Sequence, residues 1–367
     1  MKMPAAVIHE EISKSGAISF ARFMELALYC PESGYYERNR DIVGARGDFI
    51  TSVSSGSLFG ELLAFQFAAW RREGGSPGGR LQLVEAGAHD GKLAADILCW
   101  LRAQRPELFS QVDYVLVEPS AARQDWQRQT LAAFAGNVSW IPQLTALPGR
   151  TVTDDFQIFF SNELLDAFPV QRFGWDARGG EWFESGVAAE GEKFVWTRLA
   201  SGGADALPES VREVPPSLLA VLPDGYTVEA SPAAAAWWRA AAGTLRRGKL
   251  LTIDYGYTAE EQFSPARTRG TLRSYARQQI GDDLLATPGE QDLTAHVNFS
   301  AIQKSGEDAG LTTELFAGQP QFLTRILQRG VTDGVFAQLS PKQIRQFQTL
   351  THPDHLGRAF RVLVQSR

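Results

Sequence analysis

An amide and two carboxylates follow one apolar, β-prone run of this chain. The run covers residues 156–160 and stops at Ser161, Asn162 and Glu163, with Asp166 three positions further on. In an open α/β sheet, ligands bind just beyond the carboxyl ends of the strands. These side chains are therefore candidates for a binding or catalytic site. The structural alternative is a helix capped by Ser161 or Asn162, with Glu163 in its first turn.

A second candidate site follows the predicted strand 81–85, which ends in Glu85. The next residues, 86–92, read Ala-Gly-Ala-His-Asp-Gly-Lys and lead into a predicted helix. A glycine-containing turn lets a ligand approach the backbone, and a helix N-terminus presents free N–H groups. The spacing differs from the dinucleotide motif GxGxxG because position 89 is His. An acid before a short glycine loop is instead typical of S-adenosyl-L-methionine (SAM) methyltransferases, although a purely structural turn is the alternative.

The predicted strand 113–118 also ends in a carboxylate, that of Glu118. An acid at the tip of the adjacent strand can accept hydrogen bonds from both ribose hydroxyls of a bound nucleoside. A glutamate in this place also occurs for structural reasons alone. The glycine turn and this acid, in this order, are more specific than either feature by itself.

Alternating strands and helices would position these residues. We expect strands at 81–85, 113–118, 138–141 and 157–160, with helices at 93–104 and 121–135. This alternation predicts an α/β fold with a Rossmann-like core, a doubly wound and mostly parallel sheet. For the chain as a whole we expect an N-terminal helical extension (1–75), the two halves of the core (76–170 and 231–367), an inserted antiparallel α+β lobe (171–230) and a loop-like segment (265–300).

Composition excludes several classes of protein. The chain has 367 residues, of which 44% are hydrophobic, so it can bury a large core. Its net charge of −6 gives no electrostatic reason to expect a nucleic-acid partner. Two cysteines without CxxC spacing predict neither a disulfide framework nor a metal site. With no signal-like N-terminus and no run of about 18 apolar residues, we expect a cytoplasmic protein without membrane insertion.

Segments from nearly the whole chain resemble one known family. They are residues 18–31, 33–36, 47–52, 59–61, 161–169, 253–256, 270–273 with Tyr275, and 292–297. On these segments the chain resembles the MidA-type SAM-dependent methyltransferases, whose mitochondrial members assist the assembly of respiratory complex I. A series of this length, in order, is far more specific than a single glycine motif.

The resemblance implies that SAM is the cofactor. Gly87 and Gly91 would line it, Glu118 would hold its ribose, and Asn162 and Glu163 would lie beside its methyl group. Segment 47–51 would fold over the cofactor, or else form a plain turn. The predicted cofactor-binding residues are Asp48, Thr51, Glu85, Gly87, His89, Asp90, Gly91, Glu118 and Asn162.

The resemblance also implies a protein acceptor, an arginine of a partner that could be a respiratory-complex subunit. Carboxylates bind a planar guanidinium in fork geometry. The predicted catalytic residues are therefore Glu163, Asn162 and Asp166, although Asp166 could also be a helix-surface acid. A non-catalytic assembly protein on this fold and a small-molecule methyltransferase are the alternative functions. The sequence does not indicate the oligomeric state.

Two positions depart from the family pattern. His89 replaces the middle glycine of the cofactor loop, so its side chain either contacts the cofactor or blocks it. Gln278 stands where relatives often have histidine, which puts an acceptor-side role of that segment in doubt.

Overall fold

The computed structural model describes residues 3–38, 51–76, 79–147, 155–200, 207–264, 267–276, 279–281 and 283–367. The chain forms two compact units. The first unit comprises Met1–Asn39, Leu165–Trp237 and Gly256–Ile302. The second unit comprises Arg40–Leu164, Trp238–Tyr255 and Gln303–Arg367. The domain boundaries predicted from the sequence, at residues 75, 170 and 230, stay a prediction.

Strands and helices alternate along much of the chain. The strands are β1 (Ile18–Ser19), β2 (Leu81–Ala86), β3 (Val112–Val117), β4 (Val138–Ile141), β5 (Phe156–Asn162), β6 (Gln171–Asp176), β7 (Glu181–Glu190), β8 (Lys193–Arg198), β9 (Thr227–Ala230), β10 (Gly248–Tyr257), β11 (Arg273–Ala276), β12 (Gln279–Gly281), β13 (Asp292–Thr294), β14 (Val297–Asn298), β15 (Thr312–Gly318) and β16 (Phe360–Ser366). The helices are α1 (Pro4–Ser15), α2 (Phe20–Tyr29), α3 (Tyr35–Arg38), α4 (Leu58–Gly74), α5 (Lys92–Gln104), α6 (Pro106–Phe109), α7 (Ala121–Thr130), α8 (Glu209–Arg212), α9 (Pro216–Leu219), α10 (Pro232–Thr244), α11 (Ala259–Gln262), α12 (Phe299–Asp308), α13 (Gln319–Thr332) and α14 (Pro341–Thr351).

The second unit is built on a mostly parallel sheet with the strand order β4-β3-β2-β5-β10-β16-β15. Strands β4 to β10 pair in parallel. Strand β16 pairs antiparallel with both β10 and β15. Helix α4 packs against α5, α13 and α14. The predicted α/β class with a mostly parallel sheet is therefore confirmed.

Strands β2 and β5 are buried along their whole length. Parallel strands that are covered on both faces need nearly continuous apolar sequence, and both strands are rich in Leu, Val, Ile or Phe. The buried glutamines of these two strands have hydrogen-bond partners within the sheet, as burial requires. The Gln157 amide donates to Oε1 of Gln82 across 2.8 Å, and the Gln82 amide donates to Oδ2 of Asp113 across 2.9 Å.

Chain order reverses at β2, which makes this strand the topological switch point of the sheet. β3 and β4 lie on one side of β2, whereas β5 and β10 lie on the other. Crossover connections on either side of such a point leave a crevice at the carboxyl ends of the two central strands. The switch point therefore brings the glycine turn after β2 and the end of β5 to the same edge.

The polar end of β5 is part of the sheet. Asn162 pairs with Ile253 of β10, and the Ser161 hydroxyl donates to Oγ1 of Thr252 across 3.0 Å. A 3₁₀ turn, Leu165–Ala167, follows the strand. The helix-cap alternative for Ser161 and Asn162 is therefore wrong, because Ser161 pairs with both β2 and β10, and Asn162 pairs with β10.

The first unit contains an antiparallel sheet in which β7 pairs with β1, β6 and β8, and β6 pairs with β9. The predicted antiparallel pairing within 171–230 is confirmed. Segment 265–300 is not simply loop-like, since β11 pairs with β12 and β13. These strands have three or four residues each, too few to show a clear alternation in sequence. Among the described residues, no helix has the length and apolar character needed to cross a membrane.

Candidate functional site

The turn after β2 depends on left-handed backbone conformations. Its φ angles are +77° at Gly87, +47° at His89 and +85° at Gly91. Glycine adopts such angles at little cost, whereas a residue with a side chain rarely does. A Cβ atom on Gly91 would lie 3.2 Å from Cδ1 of Leu131, so side chains already close that position. Despite the histidine, the segment keeps a tight turn that ends at the start of α5.

Asp90 fixes the junction between this turn and α5. Its Oδ1 accepts a hydrogen bond from the Lys92 N–H across 3.1 Å. A short acidic side chain that binds the backbone two residues on stabilises such turns. The side chains of His89 and Asp90 are 25% and 32% exposed, so both can contact a ligand at the edge of the sheet.

Glu85 is the residue before the last one of β2 and lies inside the core. Its carboxyl group is buried, and Oε2 accepts a hydrogen bond from the Tyr114 hydroxyl across 2.6 Å. Burial raises the pKa of Glu85 from 4.5 to about 7, while the Tyr114 hydrogen bond opposes this change. The predicted acid is therefore present at the strand end, with one oxygen committed to the neighbouring strand.

Glu118 lies directly after β3 and is also buried. Its Oε1 accepts hydrogen bonds from Nε of Arg123 and from the Ser120 N–H, each across 2.9 Å. The arginine compensates the buried negative charge, which would otherwise be costly. The carboxylate is thus held in a fixed orientation at the tip of the adjacent strand.

Glu163 has an unusual backbone conformation at the end of β5. Its φ is +52°, in the left-handed region. Its carboxylate Oε1 accepts hydrogen bonds from the Ser52 backbone N–H and from Nδ2 of Asn162, each across 3.0 Å. A strained backbone conformation persists only where surrounding contacts hold it, and such conformations are frequent at functional sites.

Strand β10 supports the backbone on both sides of this carboxylate. The Glu163 N–H donates to the Ile253 carbonyl across 2.9 Å. The Leu164 N–H donates to Oδ2 of Asp254, a buried acid, across 3.1 Å. Because these bonds fix the main chain, the Glu163 side chain leaves the sheet in a set direction.

Asn162 carries a buried acceptor that is not satisfied. Within the described part of the chain, its Oδ1 has no hydrogen-bond partner, although its Nδ2 donates to Glu163. Such an atom costs about 1–3 kcal/mol when it is left unpaired. A bound molecule with an N–H or O–H donor would supply the missing partner.

The segment before α4 reaches this site through its backbone. Thr51 is buried, and its hydroxyl accepts the Ser54 N–H across 3.0 Å, forming a turn that presents Ser52. The Ser52 hydroxyl donates to Oε1 of Gln319 across 3.2 Å. Neither Ser52 nor Gln319 was predicted from the sequence. Ser52 acts on Glu163 through its main chain, which leaves no sign in residue type, and Gln319 lies 267 positions away from Ser52 in the chain. Predicted residue Asp48 lies outside the described residues.

Asp166 belongs to the first unit, whereas Asn162 and Glu163 belong to the second. It is buried, and burial raises its pKa from 3.8 to about 7. Its carbonyl accepts the Ala295 N–H across 2.9 Å, which ties it to the segment containing Asp292. The alternative of a helix-surface acid is therefore wrong.

Comparisons with known proteins agree with this geometry. Residues 62–317 match a family described as "Putative S-adenosyl-L-methionine-dependent methyltransferase". The chain belongs to this family. It is a SAM-dependent methyltransferase, as the sequence resemblance predicts, and SAM is its cofactor.

Two relatives and one solved structure illustrate the similarity. The chain is 27% identical to "Protein arginine methyltransferase NDUFAF7 homolog, mitochondrial" of Drosophila melanogaster, over 98% of this chain and 84% of the relative. It is 30% identical to the NDUFAF7 protein arginine methyltransferase of Mus musculus, over 81% and 68%. A likely methyl transferase of the COG1565 superfamily from Burkholderia thailandensis, bound to S-adenosyl-homocysteine, is 33% identical. Its TM-score is 0.85, with 99% of this chain and 92% of that chain covered.

The prediction of a cytoplasmic location is wrong. The relatives from fly, mouse and zebrafish are all named as mitochondrial proteins. Charge, cysteine count and apolar runs describe the folded protein, and they do not distinguish one reducing compartment from another.

Proposed function

We propose that this methyltransferase modifies an arginine side chain of a partner protein, and that Glu163 orients the arginine. The observation that carries the proposal is the carboxylate of Glu163, held by Ser52 and Asn162 at the edge of the sheet where the strand order reverses. The names of the relatives support an arginine acceptor. The family resemblance makes a respiratory-complex subunit the candidate partner.

The residues around the switch point fit SAM. The left-handed glycines Gly87 and Gly91 would let it approach the backbone, and Glu118 would accept a hydrogen bond from a ribose hydroxyl. The unpaired Oδ1 of Asn162 would accept a hydrogen bond from one of its donors. Asp48, Thr51, Glu85, His89 and Asp90 complete the proposed cofactor site. When bound, SAM supplies a methyl group on a positively charged sulfur.

Glu163 would act on the acceptor in two ways. Its negative charge would bind the guanidinium and orient one nitrogen towards the methyl group. Methyl transfer would then take place between two groups that are already held in the correct geometry. The nitrogen gains the methyl group and must lose a proton, while the bond between methyl and sulfur breaks with its electron pair on sulfur. The Glu163 carboxylate would accept that proton and pass it to solvent.

Asn162 and Ser52 would keep the carboxylate in place during this reaction. Ser52 donates through its main chain, and Asn162 donates through its side-chain amide from a backbone position that is held in β5. Donors that are already oriented need not reorganise as charge moves, and such preorganisation is a major source of rate enhancement. We propose Asp166 as a second acceptor-binding acid within the first unit.

The proposal is tested by labelling a lysate of cells that lack this protein. The purified protein is added with SAM that carries a radioactive methyl group, and the protein fraction is then hydrolysed to amino acids. We expect label in protein and its recovery as methylarginine. Label in another amino acid would contradict the arginine acceptor, and label only in small molecules would contradict a protein acceptor.

A further inference from the structure

A single buried amide joins the two halves of the candidate cofactor site. Gln127 lies on α7, and its side chain is fully buried. Its Nε2 donates to the His89 carbonyl across 3.0 Å and to Oε2 of Glu118 across 3.2 Å. Its Oε1 accepts a hydrogen bond from Nε1 of Trp140 across 2.8 Å. The glycine turn, the end of β3 and β4 therefore meet at one side chain.

The orientation of this amide is determined by its partners. The Trp140 indole nitrogen can only donate a hydrogen bond, so it must face the amide oxygen of Gln127. The amide nitrogen then faces a carbonyl and a carboxylate, which can accept both of its hydrogens. The reverse orientation would place acceptor against acceptor on one side and donor against donor on the other.

We propose that Gln127 is a positioning residue for the cofactor, which sets the glycine turn relative to the ribose-binding carboxylate. The inference rests on the proposed role of Glu118. Arg123 and Ser120 hold Oε1 of that carboxylate, and Gln127 holds Oε2, so both oxygens have a fixed direction. Without Gln127, Oε2 would have no protein donor among the described residues to hold it, and the carboxylate could turn while Oε1 stays bound to Arg123 and Ser120.

Gln127 also compensates for the departure at His89. That residue has a φ of +47°, which a side chain disfavours, and its carbonyl is the atom that Gln127 binds. The backbone of α7 is close as well, since a Cβ on Gly91 would lie 3.5 Å from Cα of Gln127. One helix position therefore supports both the strained residue and the glycine next to the helix α5.

The inference predicts a loss of ribose recognition in Gln127→Met. Titration calorimetry of the full chain would compare S-adenosyl-L-homocysteine with its 2′-deoxy analogue. We expect Gln127→Met to weaken binding of the ribose form about tenfold, the effect of losing a hydrogen bond to a charged group. The ratio of the affinities for the ribose and 2′-deoxy forms should fall to the value found in Glu118→Gln. In the double variant, the loss of binding free energy should be smaller than the sum of the losses in the two single variants, because both substitutions act on one carboxylate.

Two further variants separate positioning from packing. Gln129→Met makes the same change at an exposed position of α7, and should bind both ligands as the wild type does. Gln127→Glu keeps the shape and the acceptor for Trp140, removes both donors, and places a carboxyl group against that of Glu118. This variant should also lose the preference for ribose. It tests the same prediction if Gln127→Met does not fold.

Three results would overturn the inference or its premise. If the Gln127 variants bind S-adenosyl-L-homocysteine as the wild type does while Glu118→Gln binds it weakly, Gln127 has no positioning role, and the proposed role of Glu118 still stands. Equal weakening of both ligands would show that Gln127 only contributes to packing. Wild-type binding in Glu118→Gln would instead remove the proposed ribose role of Glu118, and the inference with it.

Discussion

The backbone N–H of Ser52 donates a hydrogen bond to Oε1 of Glu163 across 3.0 Å. The two residues are 111 positions apart in the chain, and the bond joins the segment before α4 to the end of β5. Because the donor belongs to the main chain, substitution of the Ser52 side chain leaves it in place. The carboxylate of Glu163 is therefore positioned by the fold itself.

The cofactor turn should be sensitive to a single methyl group at Gly91. Gly91→Ala adds a Cβ at a φ of +85° and 3.2 Å from Leu131. We expect a loss of about 1–3 kcal/mol in the free energy of unfolding, measured by urea denaturation, and weaker binding of S-adenosyl-L-homocysteine. The control is Gly180→Ala, which has a φ of +67° but nothing within 4 Å of the new Cβ. Equal losses in both variants would show that contact with Leu131 has no effect.

The buried Glu85 should make the protein less stable as pH rises. Its pKa is raised from 4.5 to about 7 in the folded state, so between these values the folded chain binds more protons than the unfolded chain. This contribution is complete below pH 4.5 and is lost as pH passes 7. The change in pKa corresponds to roughly 3 kcal/mol, since one pKa unit is about 1.4 kcal/mol.

Urea denaturation at pH 5 and pH 8 checks this expectation. The decrease in unfolding free energy between these values should be smaller in Glu85→Gln than in the wild type. Glu181→Gln, at an exposed position, should keep the wild-type decrease. An unchanged decrease in Glu85→Gln would mean that this carboxyl group does not govern the pH dependence.

Asp166→Asn tests the second proposed acid. Because burial raises the pKa of Asp166 to about 7, its carboxyl group is partly neutral at neutral pH, and an amide of the same shape should cost little stability. We expect the KM for the protein acceptor to rise about tenfold, since a charged hydrogen bond to the acceptor is lost. Affinity for SAM should not change. A wild-type KM for the acceptor would remove Asp166 from acceptor binding.

The strands were predictable from sequence, whereas several contacts in the site were not. Strands β2, β3 and β5 are marked by apolar runs that end in acids or amides, and these runs located Glu85, Glu118 and Glu163. Residue type carries no sign of a main-chain donor, so Ser52 was missed.

Helix α7 shows a different limit of sequence analysis. Its ten residues, all of them described, are mostly polar and suggest a surface helix, yet Gln127 is buried there. The polar environment that makes this burial favourable comes from His89, Glu118 and Trp140 on other elements. Such a site becomes visible only when the fold brings its partners together.

Glu163→Gln gives the most direct test of the proposed function. The variant keeps the size of the side chain and an oxygen for the Ser52 N–H, but it loses the charge that would bind the guanidinium and accept its proton. The measurement is methyl transfer to the acceptor protein in a single turnover, together with the Kd for SAM. Glu32→Gln is the control, because Glu32 also has a left-handed φ, +64°, but is exposed. We predict that Glu163→Gln transfers at least about 100-fold more slowly and binds SAM within about threefold of wild type, while Glu32→Gln matches the wild type. Transfer by Glu163→Gln at the wild-type rate would contradict the proposed role of Glu163.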